Sequence, residues 1–523
     1  MVSRLCQNHL ASSKMNTFTS IQECPGGYIF LRRPLSATDG RCLGHSTIDT
    51  LSDDVLLCIF DSYRREVEED LSLSPARSSW PWPGRDLVHV CRRWRRIAFG
   101  YPHYLKLYPS CNSKPEVQAA LNIWPALPLS IVANLNTKDA YRFLYRDTII
   151  SALEHRDRVA DIGFWEFNHS QLEQFVPLMQ EPFPDLRSLG LTALYENMAF
   201  VITDTFLGGS APLLQKIHIH GIRLPGLPKL FSSTNGLVFL KLEGFPMTGE
   251  GHLSPDAMTT CLSVLTKLQS LTITTCFLRW TSSPYPTDQC PTSSTHNVLP
   301  ALTHLFLQGP HGYLEDFVAR VDAPLLDDCD LYFTDKPTFD TPRVPQFIRR
   351  TKTVKLLDGV NVHFSREYGG AAFCSSIGPA EFGLTFPRSG LPVQVALTER
   401  ICAQWPPLVS RVEFLKLSDD YYAEEEKTLL EATTAWLGLL RRFTAVQTLR
   451  LVGRATMFHV GHILAELERE RAMEVLPALR TIELSAGGGF PQDRSETLGL
   501  LGPFLAAREE WEHPVVVKVC SKS

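Results

Sequence analysis

Few side chains in this 523-residue chain stand at spacings that suggest chemistry. His218 and His220 are one residue apart in an apolar string, so on a strand both face the same side and could supply half of a metal site. The string holds no Cys, Asp or Glu, which favours two histidines on a strand face. Asp327, Asp328 and Asp330 could hold a hard cation, but neither a glycine turn nor a further carboxylate stands at loop spacing, which favours a solvated strand end.

Two further motifs offer backbone donors or positive charge. Gly487–Gly489 could cradle a phosphate if a helix opened directly after it, but Phe490, Pro491 and Gln492 intervene, so a flexible turn is favoured. Arg92–Arg96 is a basic cluster, narrower than a nucleic-acid-binding stripe, that could contact an acidic partner. The chain lacks a Walker loop, a nucleophile elbow and a zinc-protease motif. We therefore predict no catalytic residue, no metal ligand and no cofactor.

Residues 51–97 predict two amphipathic helices, in the strings LSDDVLLCIFDSY and DLVHVCRRWRRI. Ser52 can cap the first helix, and Asp53 and Asp54 lie in its first turn, where carboxylates favour the positive end of the helix dipole. In the second, apolar residues recur at three- and four-residue steps between arginines. Each helix is too short to bury an apolar face alone, so we expect a face offered to a partner. Two core helices with a solvated basic face are the alternative.

The strings LSDDVLLxIF and LVxVCRRWRRIA resemble an F-box, especially that of the large families in mushroom-forming fungi. The continuation FGYPHYLKL and the segment LNIWPALPL (121–129) resemble the region on the C-terminal side of the box in those proteins. Family members bind the small acidic adaptor subunit of cullin–RING ubiquitin ligases through this module and present substrates with the rest of the chain. Carried over by position, the resemblance implies an adaptor contact by Leu51, Val55, Ile59, Leu87, Val90 and Trp94.

The sequence departs from that family in two places. Ser52 stands where the family usually has proline, a small change because serine also starts helices well. Residues 64–84 make a longer connection between the box helices than usual and predict a solvated loop, with Trp80 or Trp82 as an anchor. Because a long insertion costs little entropy, we expect the two helices still to pack together.

Short apolar strings of the form LxxLxL recur after residue 141. The ten strings begin at Val159, Leu186, Leu214, Leu237, Leu268, Leu302, Leu326, Val412, Val446 and Leu479. Their spacing of roughly 23 to 34 residues is the signature of leucine-rich repeats, in which parallel strands stack and helical or irregular segments return the chain. The longer interval from 326 to 412 could hide two weaker units, one around Val354–Leu356. An α/β domain with independent leucine-rich strands is the alternative.

Apolar spacing also predicts the elements around these strings. Helices are predicted at Gln171–Met179, Pro255–Leu265, Thr433–Phe443 and Phe458–Val475, and a short strand at Leu129–Val132. Residues 495–511 predict a closing helix interrupted near Gly502-Pro503, and Val515–Val519 predicts a last strand. Such an end would protect the apolar face of the last repeat.

Composition excludes several classes of protein. Hydrophobic residues make up 44% of the chain and charged residues 20%, and a net charge of −5 gives no general attraction to nucleic acid or anionic membranes. No apolar run reaches the roughly 18 residues of a membrane helix, and the N-terminus lacks an apolar signal core. The 13 scattered cysteines form no CxxC pair, which favours reduced, mostly buried thiols in a cytoplasmic or nuclear protein.

Together these patterns predict an α/β protein with a small N-terminal helical F-box-like module followed by an irregular leucine-rich-repeat-like solenoid. The expected organisation is a disordered tail (1–47), an F-box-like domain (48–108), a connector (109–140) and a solenoid with a C-terminal cap (141–523). The predicted function is the substrate-recognition subunit of a cullin–RING (SCF-type) ubiquitin ligase, which binds the adaptor and an unknown target protein and performs no chemistry itself. A non-ligase repeat scaffold is the alternative, and a hydrolase with an unrecognised site is a third possibility. Candidate aromatic anchors for the target are Trp280, Tyr285, Tyr313, Tyr421 and Tyr422.

Overall fold

A computed structural model of the chain describes most of the sequence after residue 49. The described residues are 50–73, 85–101, 121–122, 127–135, 142–194, 201–224, 229–245, 253–275, 296–335, 343–351, 357–376, 380–387, 389–420, 429–467, 471–485 and 491–520. The chain divides into two compact units, Met1–Leu56 and Leu57–Ser523. The predicted tail (1–47) and most of the predicted connector (109–140) lie outside the described residues, and the predicted domain bounds stay predictions.

The first helix, α1, spans Asp53–Leu73. Ser52 Oγ accepts a hydrogen bond from the Val55 amide at 3.4 Å, as the predicted cap requires. The loop predicted from residue 64 is wrong as far as Leu73, because the string RREVEEDLSL is rich in helix-forming residues and contains neither proline nor glycine. Residues 74–84, which include both predicted tryptophan anchors, lie outside the described residues.

The predicted second helix is two helices, α2 (Arg85–Val90) and α3 (Arg92–Gly100). The chain is extended at Cys91, whose Sγ accepts a hydrogen bond from the Trp94 amide at 3.4 Å and so caps α3. Arg95 Nε donates to the Val88 carbonyl at 2.9 Å and ties the two helices together.

All the described β-strands lie in the second unit. They are β1 (Leu129–Asn134), β2 (Val159–Phe167), β3 (Ser188–Ala193), β4 (Lys216–His220), β5 (Phe239–Phe245), β6 (Ser270–Thr275), β7 (Asn297–Val298), β8 (His304–Gly309), β9 (Val321–Asp322), β10 (Asp328–Phe333), β11 (Gly359–Phe364), β12 (Tyr368–Cys374), β13 (Glu381–Pro387), β14 (Phe414–Asp419), β15 (Thr448–Val452), β16 (Thr481–Ser485) and β17 (Val516–Cys520).

Fifteen of these strands form one sheet in the order β1-β2-β3-β4-β5-β6-β8-β10-β13-β12-β11-β14-β15-β16-β17, and β7 pairs with β9. Every neighbouring pair in the large sheet is parallel except the two pairs that include β12. The protein is therefore of mixed α/β class with a large, mostly parallel sheet. The last two apolar residues of each of the ten strings lie on strands of this sheet, and the strands predicted near Leu129 and at Val515–Val519 are β1 and β17.

Helices and irregular segments return the chain between strands. The helices are α4 (Arg142–Leu153), α5 (His169–Glu173), α6 (Lys229–Ser233), α7 (Pro255–Leu262), α8 (His311–Val318), α9 (Arg343–Arg350), α10 (Leu391–Gln404), α11 (Pro406–Val409), α12 (Leu429–Arg442), α13 (Arg454–Ala465) and α14 (Pro491–Glu510). Three predicted helices end earlier than expected: α5 gives way to a 3-10 turn at Val176–Gln180, α7 ends at Leu262 and α13 ends at Ala465. The predicted break at Gly502-Pro503 is wrong, because α14 runs through Pro503.

Two ladders of apolar side chains hold the large sheet to the helices. In the first, register partners on successive strands are no more than 2% exposed. Its members are Leu189, Ile217, Leu240, Leu271, Leu305, Cys329, Phe382, Phe373, Val360, Leu415, Leu449 and Ile482. The second ladder lies two residues further along each parallel strand and two residues earlier, at Ala371, on antiparallel β12. Because each buried aliphatic side chain contributes about 1.5–3 kcal/mol, these ladders supply much of the core.

Between β10 and β14 the described residues form three strands, where the sequence suggested two weaker units. Strands β11, β12 and β13 form a meander whose middle strand runs against the rest of the sheet. Gly370 is needed there, because a Cβ at this position would lie 2.6 Å from the Leu384 carbonyl oxygen. The Ser365 hydroxyl accepts from the Tyr368 amide at 3.1 Å and closes the first turn. The unit predicted around Val354–Leu356 lies outside the described residues.

Within the described ranges, every helix is too short or too polar to cross a bilayer.

The described thiols are only partly buried. Cys261, Cys329 and Cys402 are buried, and burial raises the pKa of Cys261 and Cys402 to about 12. Cys58, in contrast, is exposed.

Buried His459 makes the stability of the fold depend on pH. It is 3% exposed on α13, its ring lies 6.5 Å from that of Trp436, and burial lowers its pKa to about 4. The unfolded chain binds this proton near pH 6.5, so stability is lost as pH falls from 6.5 toward 4. We expect His459→Leu to reduce the loss of unfolding free energy between pH 7.5 and pH 5 by about 2 kcal/mol, measured by urea denaturation.

The matched control is His513→Gln, which replaces an exposed histidine on the chain after α14. This variant should keep the pH dependence of the unmodified chain. An unchanged pH dependence in His459→Leu would contradict the assignment of this buried neutral imidazole.

Candidate functional site

The predicted adaptor-binding residues of the first unit are partly accessible. Val55 is 43% exposed on α1, and Leu51, just before the helix, is of intermediate exposure. Leu56, in the first turn of α1, is fully buried. The first unit therefore presents Val55 as its accessible apolar side chain on this helix.

The predicted adaptor-binding residues of the second unit separate into two kinds. Val90 is 55% exposed at the end of α2, and Ile59 is of intermediate exposure on α1. Leu87 and Trp94 are only 5% and 8% exposed, so the expectation that they point outward is wrong. The Trp94 ring lies 4.9 Å from that of Phe60, which packs α3 against α1. Leu87 and Trp94 belong to the small core that supports Val90.

The basic cluster around Trp94 has one structural and several accessible members. Arg92, Arg95 and Arg96 are exposed, and Arg93 is intermediate. Arg95 uses its Nε to join α2 and α3 through the Val88 carbonyl. Arg92 and Arg93 begin α3 directly after Cys91, and Arg96 lies one turn further along the same helix.

The second candidate surface is the face of the large sheet that points away from the buried ladders. Its middle line, which we call the central row, holds one residue from each of seven neighbouring strands in direct register. The row consists of Gly190, His218, Lys241, Thr272, Phe306, Asp330 and Gly383. The side chains between the two glycines are intermediate or exposed, so they form an accessible strip across the strands.

His218 and His220 lie on this face, as predicted, and the next strand supplies their charged neighbours. His218 Nε2 lies 2.8 Å from Glu243 Oε2, and Lys241 Nζ lies 3.1 Å from the same oxygen. Burial lowers the pKa of His220, which favours its neutral form. Among the described residues no group of three potential ligands has the arrangement of a metal site. The cluster is therefore a hydrogen-bonded charge network.

Glu243 is the centre of that network. Burial alone would raise its pKa, but the hydrogen bonds and positive charges of His218 and Lys241 outweigh burial, and the net pKa is lowered. The carboxylate is ionised at neutral pH and holds both donors in place.

An aromatic platform lies beside the histidines. The Trp165 ring is 5.4 Å from that of His218, and a Cβ on Gly190 would lie 3.3 Å from two atoms of the Trp165 indole. The glycine thus leaves room for the indole on the sheet face. The adjacent Glu166 has φ of 54°, and the pairing of β2 with β3 shifts register here. Such bulges re-aim side chains on a sheet.

The opposite end of the row is acidic. Asp330 lies over Gly383, where a Cβ would approach Asp330 Oδ1 to 1.9 Å. Partial desolvation raises the pKa of Asp330, and the charges of Asp328 and Glu381 raise it further. Asp328 and Asp330 belong to β10 itself, and Asp327 directly precedes it. Asp330 is exposed, which agrees with the expectation of solvated carboxylates.

One group on the sheet resembles a serine–histidine–aspartate set in composition only. His363 Nδ1 lies 3.1 Å from Ser418 Oγ, and His363 Nε2 lies 3.3 Å from Asp420. The Ser418 hydroxyl, however, donates to the Val362 carbonyl at 3.1 Å, so its single hydrogen is directed away from the imidazole. The Asp420 side chain is 71% exposed. These contacts tie β11 to β14, and we nominate no nucleophile.

Sequence reasoning missed Trp165, Lys241 and Glu243 because each is separated from the histidines by at least 21 residues. The repeat spacing could have found them: aligned strings place Lys241 beside His218 and Glu243 beside His220. Of the aromatic anchors suggested for the target, Tyr313 is fully buried and is excluded. The other four lie outside the described residues.

Comparison with protein-family models and with curated proteins found no match for this chain.

The charge network predicts a small, pH-dependent effect at Glu243. The lowered pKa means that the carboxylate stabilises the fold above the ordinary carboxyl value of 4.5 and ceases to do so as pH falls below it. We expect Glu243→Gln to lower the unfolding free energy at pH 7 by less than about 1 kcal/mol, since the side chain is partly solvated. Urea denaturation at pH 7 and pH 4 measures this difference.

The control is Glu509→Gln, on an exposed position of α14. The stability difference caused by Glu243→Gln should shrink at pH 4. A difference that is equal at both pH values would show that the ionised carboxylate is not the stabilising species.

Proposed function

We propose that this chain is the substrate-recognition subunit of a cullin–RING (SCF-type) ubiquitin ligase, acting in the cytoplasm or nucleus. In this proposal α1–α3 form an F-box-like module that binds the adaptor, and the strands with their returning segments form an irregular leucine-rich-repeat-like solenoid that binds a target. Ubiquitin transfer belongs to partner subunits, and this chain contributes proximity and orientation.

The observation that carries the proposal is the exposed valine in the segment that resembles an F-box. Val90 is 55% exposed although its neighbours Leu87 and Trp94 are buried. A β-branched apolar side chain held on a rigid helix pair gains free energy if a partner covers it. Val55, in the first unit, is likewise exposed and apolar. The arginines after Val90 suit an acidic partner, because opposite charges speed association.

The sheet supports the second half of the proposal. Consecutive strands in the ranges β2–β6 and β14–β17 pair parallel with their chain neighbours, which is the arrangement that stacked repeats adopt. The central row crosses β3 to β6 of the first range and continues over β8, β10 and β13, with accessible side chains from His218 to Asp330. Such extended strips are the binding surfaces that stacked repeats provide.

Adaptor binding depends on Val90 in this proposal. We expect Val90→Asp to weaken co-purification with recombinant adaptor at least tenfold, because the carboxylate would be desolvated at the interface. Val55→Asp should weaken it in the same direction. Thermal unfolding should be nearly unchanged for both variants, since both sites are exposed.

The matched control is Val298→Asp, because Val298 on β7 is 53% exposed, close to the value for Val90. Its adaptor binding should equal that of the unmodified chain. No binding by the unmodified chain, or equal binding by Val90→Asp, would end the ligase-subunit proposal.

One observation favours a second candidate, a repeat scaffold without ligase function. Trp94 is buried within the chain, as it would be if these helices only capped the sheet, although Val90, which that arrangement would also bury, is exposed. In that case Val90→Asp and Val298→Asp would behave alike in every binding assay. The adaptor experiment therefore separates the two candidates.

A further inference from the structure

Charged side chains on the outward sheet face are separated along the central row. The β4–β5 end carries Lys216 and Lys241 against the single carboxylate of Glu243, with two histidines beside them. The β10–β13 end carries carboxylates. Between β4 and β13 the face is thus dipolar in the direction that crosses the strands.

The positively charged β4–β5 end of the central row carries hydrogen-bond donors. Lys241 is 31% exposed at its side chain, and its ammonium carries three N–H donors, of which Glu243 accepts one. Lys216 is exposed at the start of β4. The Trp165 platform borders this end through its contact with His218. A partner carboxylate placed here would meet ammonium donors beside an aromatic surface.

The middle of the row is uncharged. Thr272 and Phe306 occupy it, and both are of intermediate exposure. Phe306 lies directly between Thr272 and Asp330 in register. An apolar partner side chain would be covered here by an aromatic ring, which is the kind of residue that anchors interfaces.

The negatively charged β10–β13 end of the central row carries several carboxylates, whose oxygens accept hydrogen bonds. Asp328, Asp330 and Glu381 are neighbours on β10 and β13, and Asp330 is held outward over Gly383. Desolvation first, and then the charges of Asp328 and Glu381, raise the pKa of Asp330, and the pKa of Cys374 is raised by desolvation and then by the charges of Glu381 and Asp358. A cation bound here would relieve the repulsion between these carboxylates.

The spacing between the ends can be stated from strand geometry. Lys241 and Asp330 are separated by three strand steps, from β5 through β6 and β8 to β10. At about 4.8 Å for each step the separation is about 14 Å. An extended peptide covers that distance in about four residues at roughly 3.4 Å each, and residues two and four apart point to the same side.

We infer that the central row binds an extended protein segment lying across the strands, with an acidic side chain at Lys241, a basic side chain about four residues away at Asp330, and an apolar side chain between them over Phe306. This inference names the target class for the surface to which the proposed function assigns target binding, and its biological meaning rests on that proposed function. The binding itself needs only the sheet.

The probe is a fluorescein-labelled nine-residue peptide with Glu at its third position, Leu at its fifth, Arg at its seventh and threonine elsewhere. Fluorescence anisotropy with the full chain measures its affinity. Two comparison peptides replace the charges with two Glu or two Arg, and a third places Glu and Arg side by side. We expect the spaced dipolar peptide to bind at least tenfold more tightly than each comparison peptide.

Variants of the chain test each end of the row. Lys241→Met and Asp330→Asn should each weaken the spaced peptide about tenfold, and Lys241→Glu and Asp330→Lys should weaken it further. The matched controls are Lys267→Glu and Asp185→Lys, which make the same charge changes at exposed turn positions before β6 and β3. Both controls should bind as the unmodified chain does, and thermal unfolding identifies any variant that fails to fold.

Three results would overturn the inference: equal binding of the two-Glu or two-Arg peptide, indifference to the spacing of Glu and Arg, or equal losses in the row variants and the turn controls. None of these readouts uses the adaptor. Failure of the peptide experiment with intact adaptor binding would reject the target class alone, whereas loss of adaptor binding with intact peptide binding would reject the ligase proposal alone.

Discussion

The two buried apolar ladders are the constraint on which the other features of the sheet depend. Each ladder continues through successive strands in direct register, so a strand that slipped by one residue would turn its leucines to water and its polar residues inward. Such a slip would cost several side-chain burials of about 1.5–3 kcal/mol each. The register is therefore strongly specified, although the intervening segments vary in length.

The buried ladders also determine which residues lie on the outward face of the sheet. Side chains alternate along a strand, so the residue between two ladder members must point outward. His218 is placed opposite Lys241, and Phe306 opposite Asp330, by the burial of their neighbours and without any direct attraction between them. Core packing thus sets the backbone positions of the central row, and the side chains at those positions can change while the core stays the same. Glycines at 190 and 383 extend this freedom, because each lets a larger neighbour lie across its strand.

The parts of the fold that depend on local periodicity were predictable. The ten apolar strings predicted strands because apolar residues two positions apart match the two-residue period of a strand. The meander was not predictable in the same way: β12 has the sequence YGGAAFC, with two glycines and small residues whose role is visible only once β11 and β13 are placed beside it. Fully buried Arg508 was missed too, because its bonds reach the carbonyls of Pro477 and Leu479 about 30 residues away.

In α1, α2 and α3, too, local periodicity was predictable from the sequence and contacts between distant residues were not. Apolar spacing marked Leu87, Val90 and Trp94 as one stripe, but spacing alone cannot tell which members face a partner and which face the chain's own Phe60. The extended backbone at Cys91 separates α2 from α3. Trp94 on α3 therefore packs inward against Phe60, whereas Val90 stays at the exposed end of α2. A buried tryptophan beneath an exposed valine gives a rigid support, and a rigid apolar contact loses little conformational entropy when a partner covers it. Burial of Trp94 is therefore compatible with docking through Val90. An interface built on Val90 is smaller than one that also included Leu87 and Trp94.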